Sequence, residues 1–416
     1  MSKIYSGTIN FEGWPFDRDL LPQSSFLVGG AVRDALLGRR VENLDLDFVV
    51  SQEAVATARE IASRYRAGFV LLDADRQIAR VVFERATVDF AQMEGDSLED
   101  DLHRRDFTIN AIAYNPFSHD FIDPLNGRGD LQRRIIRMVR AANLEDDPLR
   151  LLRGYRQSAQ LGFTIGPETL STIRKLAPLL IRVAVERVRT ELSYLLNIPG
   201  GMFWIERGWE DGLLICWFPT AGDRFSVGRN IDKTAALLTE SWPELGRELS
   251  APVRDTIKTT FLSIGKLGIL VAPEPARAEA ELEELKYSNV EIKGAIAVVK
   301  GLAKLQEKGL DLSVREQYFL FKEVGEMFPA LAVVAVASGV EVEAIAPLIN
   351  RYLNPEDLVA HPQPLLSGND LMRELNLPKG RLIGELLREI QLARVEGKIA
   401  TKEEGLELAA ELINSQ

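Results

Sequence analysis

Strand-forming sequence in this chain runs out near Leu131, and that asymmetry is the tightest constraint on its fold. Ahead of it, "FLVGG", "LDLDFVV", "GFVLLD", "ARVVFE" and "ATVDFAQM" are short, apolar or alternating, and bounded by turn residues. Between them, "AVRDALLG" and "SQEAVATAREIASRYRA" carry helical spacing. Beyond it, "DDPLRLLRGYRQSAQLG", "PETLSTIRKLAPLL", "VERVRTELSYLL" and "IKGAIAVVKGLAKLQEKG" repeat apolar residues every three or four positions. An α+β chain is expected, with a mixed head and an all-helical remainder. At 416 residues it exceeds one ordinary core, so two or more domains are expected. Pro/Gly-rich breaks fall at "NIPGG", "APEPA" and "NPEDLVAHPQPLLSG".

Composition narrows the chemistry. No apolar run reaches membrane-spanning length and the first residues lack a signal-peptide apolar stretch, so a cytoplasmic protein without a membrane partner is expected. Cys216 is the only cysteine and there are three histidines, which removes disulfides, cysteine cages and histidine-rich metal sites. A net charge of −11 argues against generic nucleic-acid binding. Arginine is nevertheless dense in "LQRRIIRMVR" and "LRLLRGYRQ", where a local basic groove can sit on an acidic remainder.

The pattern "DLDFVV" places Asp45 and Asp47 on one face of an apolar strand, roughly 6.5–7 Å apart. Leu44, Leu46 and Phe48 then point into a core. Two such carboxylates repel each other and lose hydration, and a divalent cation removes both penalties. Mg²⁺ suits the hard oxygen donors and keeps waters for a phosphate. Asp89 in "ATVDFAQM" supplies a third carboxylate if its strand pairs beside the first, about 4.8 Å away. Three carboxylates suit a two-metal phosphoryl-transfer centre. Taken alone, Asp-x-Asp fits an edge strand with two solvated carboxylates equally well. The upstream "VGGAVRD" favours the first reading: glycines permit close backbone approach to a phosphate, a helix start favours anions, and Arg33 adds a charge-assisted bond.

In order, "LVGGAVRDALLG…DLDFVV", "RRDFTINAIAYNP", "DDPLRLLRGYRQSAQLGF" and "VERVRTELSYLL" resemble the successive motifs of class II tRNA nucleotidyltransferases, the bacterial CCA-adding and poly(A) polymerase superfamily. The stretch from "PLLSGNDLMREL" onward resembles the tail of bacterial CCA-adding enzymes. The resemblance implies a polymerase-β-type nucleotidyltransferase head over 1–140, a helical neck for base recognition over 141–220, a helical body over 221–360 and a tRNA-binding tail over 361–416. It implies template-independent addition of CMP, as CC or full CCA, from CTP and ATP to the tRNA acceptor end, with release of pyrophosphate. Asp45 and Asp47 match the family's Mg²⁺-binding pair, and Asp89 falls where a third catalytic carboxylate belongs. Gly29, Gly30 and Arg33 fall in the nucleotide-contacting turn. Arg105 matches a nucleotide contact, with Asp106 and Asn110 shaping the pocket.

The "DDPLRLLRGYR" segment has a physical reading of its own. Asp147 and Arg150 are three apart and share a helix face, as do Arg150 with Arg153 and Arg153 with Arg156. An Asp accepts from the cytosine amino group and an Arg fork donates to the acceptors on the same base edge. Together they imitate a Watson–Crick partner, which rejects U and G. Solvated charges on an amphipathic helix are the plainer alternative. Asp146 stands where the family usually has Glu. "VERVRTELSYLL" reads chiefly as a brace, through Glu186–Arg189 or Arg187–Glu191 pairs.

Only "AQMEGDSLEDDLH" joins the Asp89 strand to "RRDFT", where full CCA-adders carry a longer loop. In the family, that shortening goes with CC addition and a separate A-adding enzyme acting on the same tRNA. Two alternatives stand beside this reading. A poly(A) polymerase shares the head motifs, but the tail "EEGLELAAELINSQ" is acidic. A non-catalytic RNA-binding relative would be expected to lose its carboxylates. His119-Asp120 is the sole His-Asp pair, so an added phosphohydrolase domain is not expected.

Overall fold

The structure, a computed structural model, describes residues 13–39, 43–253 and 259–414. The chain divides into two compact units: Met1–Ala184 with Gly208–Leu213, and Val185–Arg207 with Leu214–Gln416.

The first unit holds a seven-stranded mixed sheet. Its strands are β1 (Phe26–Val28), β2 (Leu44–Val50), β3 (Gly68–Asp73), β4 (Ile78–Val82), β5 (Ala86–Gln92), β6 (Ala113–Tyr114) and β7 (Phe121–Ile122). The order is β3-β4-β5-β2-β1-β6-β7. Only β2 and β5 run parallel, with Asp47 opposite Asp89 and Asp45 opposite Thr87. Alternation explains the two faces. Leu46, Phe48, Val88 and Phe90 are buried on one face, with the Phe48 and Phe90 rings stacked at 5.5 Å. Helix α2 (Ala54–Tyr65) turns its buried Ala54, Ala58, Ile61 and Ala62 inward and packs against β4 and β5. The opposite face carries the carboxylates.

Helix α1 (Gly30–Leu36) follows β1 directly, and α3 (Leu98–His103) lies in the short connection after β5. Helix α4 (Gly127–Arg133) precedes α5 (Ala141–Asp146) and α6 (Leu149–Leu161). The two last helices are separate because Pro148 has no N–H to donate and biases Asp147 away from helical backbone. Asp147 is extended, at φ −131° and ψ 91°. Gly154 lets α6 approach Phe107, since a Cβ there would lie 3.3 Å from the ring. In "LQRRIIRMVR", Arg133 and Arg137 both donate to the buried Asp130.

The second unit is helical. Capping boxes at Thr260/Ser263, Ser288/Glu291, Ser313/Glu316 and Ser367/Asp370 start four of its helices. Phe328–Ala337 is apolar on every side and is its central helix, with Phe328 to Ala335 buried. The buried Lys266 donates to Leu196 O and pairs with Asp232 at 2.6 Å, which is how the fold tolerates an interior cation. Helix α7 (Val185–Asn197) belongs to this unit, and its Glu186 pairs with Lys286 at 3.2 Å. Leu366, Leu371, Ile383, Leu386, Ile390 and Ala409 form a small core near the C-terminus. No described helix is long and apolar enough to cross a membrane.

Candidate active site

Asp45 and Asp47 project from the same face of β2 by strand alternation. Asp45 is exposed and accepts from the Thr87 hydroxyl at 2.5 Å; Asp47 is half-buried. Burial pushes the Asp47 carboxyl up to about 6; the charges of Asp45 and Asp89 add to the rise, and Arg105 and Arg80 oppose it. A carboxylate so placed lacks enough positive charge around it.

The turn after β1 comes close to Asp47. Gly29 has φ +74°, and a Cβ on it would lie 3.1 Å from Asp47 Oδ2 and 3.5 Å from Arg105 Nη1. Both the backbone and the space therefore require glycine. Gly30 opens α1. The buried Arg33 donates through Nε and Nη2 to Asp34, at 3.0 Å each, and through Nη1 to Asn110 Oδ1 at 2.9 Å. Arg105 donates to Asp101 at 3.0 Å, and its buried Nε has no hydrogen-bond partner among the described residues.

Asp89 lies where the strand pattern places it, opposite Asp47. Both its oxygens, however, accept from Arg80, at 2.7 and 2.8 Å. Among the described residues no group of three or more metal-type side chains is assembled. Asp45 and Asp47 share one face of β2, and Asp89 is clamped beside them by Arg80. The pair suits a hard divalent cation, because a 2+ charge there satisfies the carboxylate that burial and repulsion push up.

Asp106 is the hub of a buried network. It accepts from Phe107 N and Asn110 Nδ2, each at 2.8 Å, from Arg153 Nε and Nη2 at 3.0 and 2.9 Å, and from Gln157 at 3.3 Å. Burial raises its pKa, but the Arg153 charge and these hydrogen bonds outweigh it and hold the carboxyl at about 2. Asn110 also donates to Gln157 Oε1 at 2.9 Å. This hydrogen-bonded chain joins Arg33 on α1 to α6.

The expected shared helix face of Asp147 and Arg150 is not formed, since Asp147 precedes α6. Its Oδ1 accepts from Leu149 N at 3.3 Å, and Oδ2 stands 4.0 Å from Arg150 Nε. Arg150 Nη1 donates to Arg104 O at 2.7 Å and Asn143 O at 3.2 Å, which fixes its fork. Arg153 is turned to Asp106, and Arg156 donates to Gln160 at 3.0 Å. A cavity of about 240 Å³ is lined by Val49, Ile78, Ala91, Arg104, Arg105 and Arg150 with Arg76, Gln92, Glu94 and Asp101. Val49, Ala91 and Ile78 continue the face that carries Asp47, Asp89 and Arg80. The cavity is smaller than the roughly 300–1,000 Å³ of whole-ligand pockets, so it suits one part of a nucleotide.

The connection after β5 is tied down. Asp101, buried, accepts from Glu94 N at 3.3 Å and from Arg105; Arg104 pairs with Glu94 at 2.9 Å. Sequence reasoning missed Arg80, Asp101 and Gln157. Gln157 lies one helical turn beyond Arg153, a spacing that signals a shared face. Arg80 and Asp101 carry no such local signal.

A glycine turn, a carboxylate pair on the adjacent strand and an arginine-rich cavity on one mixed sheet define a nucleotidyltransferase head. Comparison with known proteins agrees. Residues 25–137 match the poly(A) polymerase head domain, 162–223 an RNA- and SrmB-binding site of polymerase A, and 259–410 tRNA nucleotidyltransferase domain 2. The chain is 48% identical over 401 residues to a CC-adding tRNA nucleotidyltransferase of Synechocystis sp., covering 96% of each. It is 32% identical to a CC-adding tRNA nucleotidyltransferase of Geobacter sulfurreducens, covering 91% of this chain and 90% of that one. It is 33% identical to an A-adding tRNA nucleotidyltransferase of Deinococcus radiodurans, covering 92% and 94%. The fold is that of a CCA-adding enzyme solved with CTP, with a TM-score of 0.71 at 24% identity over 94% of this chain and 91% of that one. The Thermotoga maritima CCA-adding enzyme complexed with tRNA gives 0.65 at 23% identity, over 94% and 91%. The chain belongs to the tRNA nucleotidyltransferase family.

Proposed function

We propose that this chain adds two cytidines to the 3′ end of tRNA and stops, leaving the final A to a separate enzyme. Nucleotide addition to tRNA is the activity named for its relatives, and the Asp45/Asp47 pair beside the glycine turn supports that reading. CC rather than CCA addition rests on the connection between β5 and Arg105, which is short and tied through Glu94–Arg104 and Asp101–Arg105. At 32–33% identity the relatives include both CC- and A-adding enzymes, so similarity at that distance does not separate the two. The 48% relative favours CC.

Asp45 and Asp47 would hold Mg²⁺, which when bound supplies positive charge to the triphosphate and acidifies the attacking hydroxyl. Gly29 and Gly30 let the backbone approach the phosphates, and Arg105 brings its Nη1 beside the Gly29 turn. Arg33, on α1 just after this turn, has its charge paired by Asp34 and its fork held by Asn110, so it braces the turn rather than meeting the triphosphate in this arrangement. Asp147 and the tethered Arg150 read the cytosine edge, while Arg153, Asp106, Asn110 and Gln157 hold α6 to the head. Arg156 extends the basic face of α6. The work is done in the cytoplasm, where tRNA, CTP and ATP are found.

A tRNA lacking its 3′ CCA, incubated with CTP alone, ATP alone and both, tests this. Two added cytidines under both CTP conditions, and none with ATP alone, are expected. A third residue, identified as A, overturns the CC assignment. No addition overturns the nucleotidyltransferase reading.

A further inference from the structure

We infer that the terminal nucleotide of the RNA lies across β5, β4 and β3, on an apolar shelf made by Val82 and Val70 with Arg80 against its phosphate. The inference deepens the nucleotidyl-transfer reading and rests on it. Strand register extends the carboxylate face sideways in two rows. One row runs Asp45, Thr87, Val82, Gly68; the next runs Asp47, Asp89, Arg80, Val70. Side chains along a row share a face.

The direction follows from the reaction. Attacking and leaving oxygens stand roughly in line on opposite sides of the phosphorus. The glycine turn that receives the triphosphate follows β1, on one side of β2. The attacking ribose must therefore approach from the other side, where β5, β4 and β3 lie. Val82 is two strands from Asp45, roughly 10 Å at the usual strand spacing. That is the reach of one ribose and its base.

The shelf has the chemistry for this occupant. Val70 and Val82 are 45% and 40% exposed, unusual for β-branched residues beside a polar centre. Gly68, at the end of the first row, has no side chain to cover Val82; a Cβ there would lie 3.3 Å from Val82 Cβ. A nucleobase is flat and apolar on its faces, and its backbone is anionic. Arg80 gives Nε and Nη2 to Asp89, and its Nη1, with no hydrogen bond to a described residue, remains to meet a phosphate. The shelf is thus apolar where a base would rest and cationic nearer the carboxylates.

The test compares Val70→Asp and Val82→Asp with Leu71→Asp. Leu71 is 46% exposed on the same strand but pairs with Ala79 and faces the other side. Steady-state addition of CMP to tRNA lacking its 3′ end gives KM for tRNA and for CTP separately. The two valine variants should raise the tRNA KM roughly tenfold, the order expected for losing one apolar contact surface. Their CTP KM and kcat should stay within about twofold, and Leu71→Asp should change neither KM. Val82→Leu, which keeps the shelf apolar, should restore the tRNA KM. A tRNA carrying 4-thiouridine at its terminal position should crosslink within 68–82. Unchanged tRNA KM in both valine variants, or an equal rise for CTP, overturns the shelf. So does a dimer of the wild type that either valine substitution dissolves, since the face would then be covered by a second copy. Failure of the wild type to extend tRNA at all overturns both this inference and the functional reading.

Discussion

Asp106, expected to shape a pocket, is instead the hub that ties its own segment to α6. Its five hydrogen bonds come from its own segment and from α6, and the strongest charge is that of Arg153. Asp106→Asn should destabilise the first unit by about 3 kcal/mol, because it leaves Arg153 facing a buried amide; partial exposure of Arg153 sets the lower end of the range. The sign with pH follows from a folded pKa of about 2, below the unfolded value near 3.9. The stabilisation is complete above the unfolded pKa and is lost as pH falls through the folded one. Melting temperatures of wild type and variant should converge between about pH 5 and pH 2. A gap that is constant with pH would remove the charge from the explanation. Asp45 and Asp47 behave differently, since neither fills the core. Asp45→Ala and Asp47→Ala should abolish nucleotide addition while preserving the circular-dichroism melt, and chelation of Mg²⁺ should do the same to wild type. Near-normal turnover in both variants would contradict their assignment as the metal pair.

At the scale of elements, β1 to β5 were legible from alternation and bounding turns. The parallel pairing of β2 and β5 sets Asp89 opposite Asp47 as the strand pattern anticipates. Arg80 was not legible, because its partner lies nine residues away across a hairpin whose register only the folded sheet defines. Asp101 was not legible either, since a carboxylate in an acidic run looks solvated until the chain around it closes. The segment proposed to read the base is legible in composition but not in shape. Helical spacing joins Asp147 to Arg150, yet Pro148 ends one helix and starts another, and the pair meets only at 4.0 Å. The carboxylate and the guanidinium thus sit on different elements, one extended and one helical. Each should contribute separately to base choice. Asp147→Ala and Arg150→Ala should each relax discrimination of CTP over UTP by about 1–3 kcal/mol, with a smaller effect on triphosphate affinity. Competition between the two nucleotides measures it, and unchanged selectivity in both variants would refute the assignment.

For the whole molecule, the question is how a chain of net charge −11 selects a polyanion. Of the arginines dense in sequence, Arg133 and Arg137 pair with Asp130 and Arg153 with Asp106, and further along Arg174 pairs with Asp211. Pairing of this kind lowers the charge these arginines offer to RNA backbone irrespective of its shape. The chain's two compact units divide near Val185, while the proposed division of labour into head, neck, body and tail follows the motifs instead. Segments matching RNA-binding and tRNA nucleotidyltransferase domains follow the head, so contacts can be distributed along a folded acceptor arm. Selection by shape, with a weak unspecific term, is the physical alternative to a basic surface. It also separates this chain from a poly(A) polymerase, which must hold unstructured RNA. Single-stranded oligo(A) should be neither extended nor an effective competitor, even at roughly hundredfold excess over tRNA lacking its 3′ end, because unspecific phosphate binding carries little of the affinity. Raising the salt concentration should leave that preference intact. Efficient extension of oligo(A) with ATP would place the chain among the poly(A) polymerases of its superfamily and would remove tRNA shape as the basis of recognition.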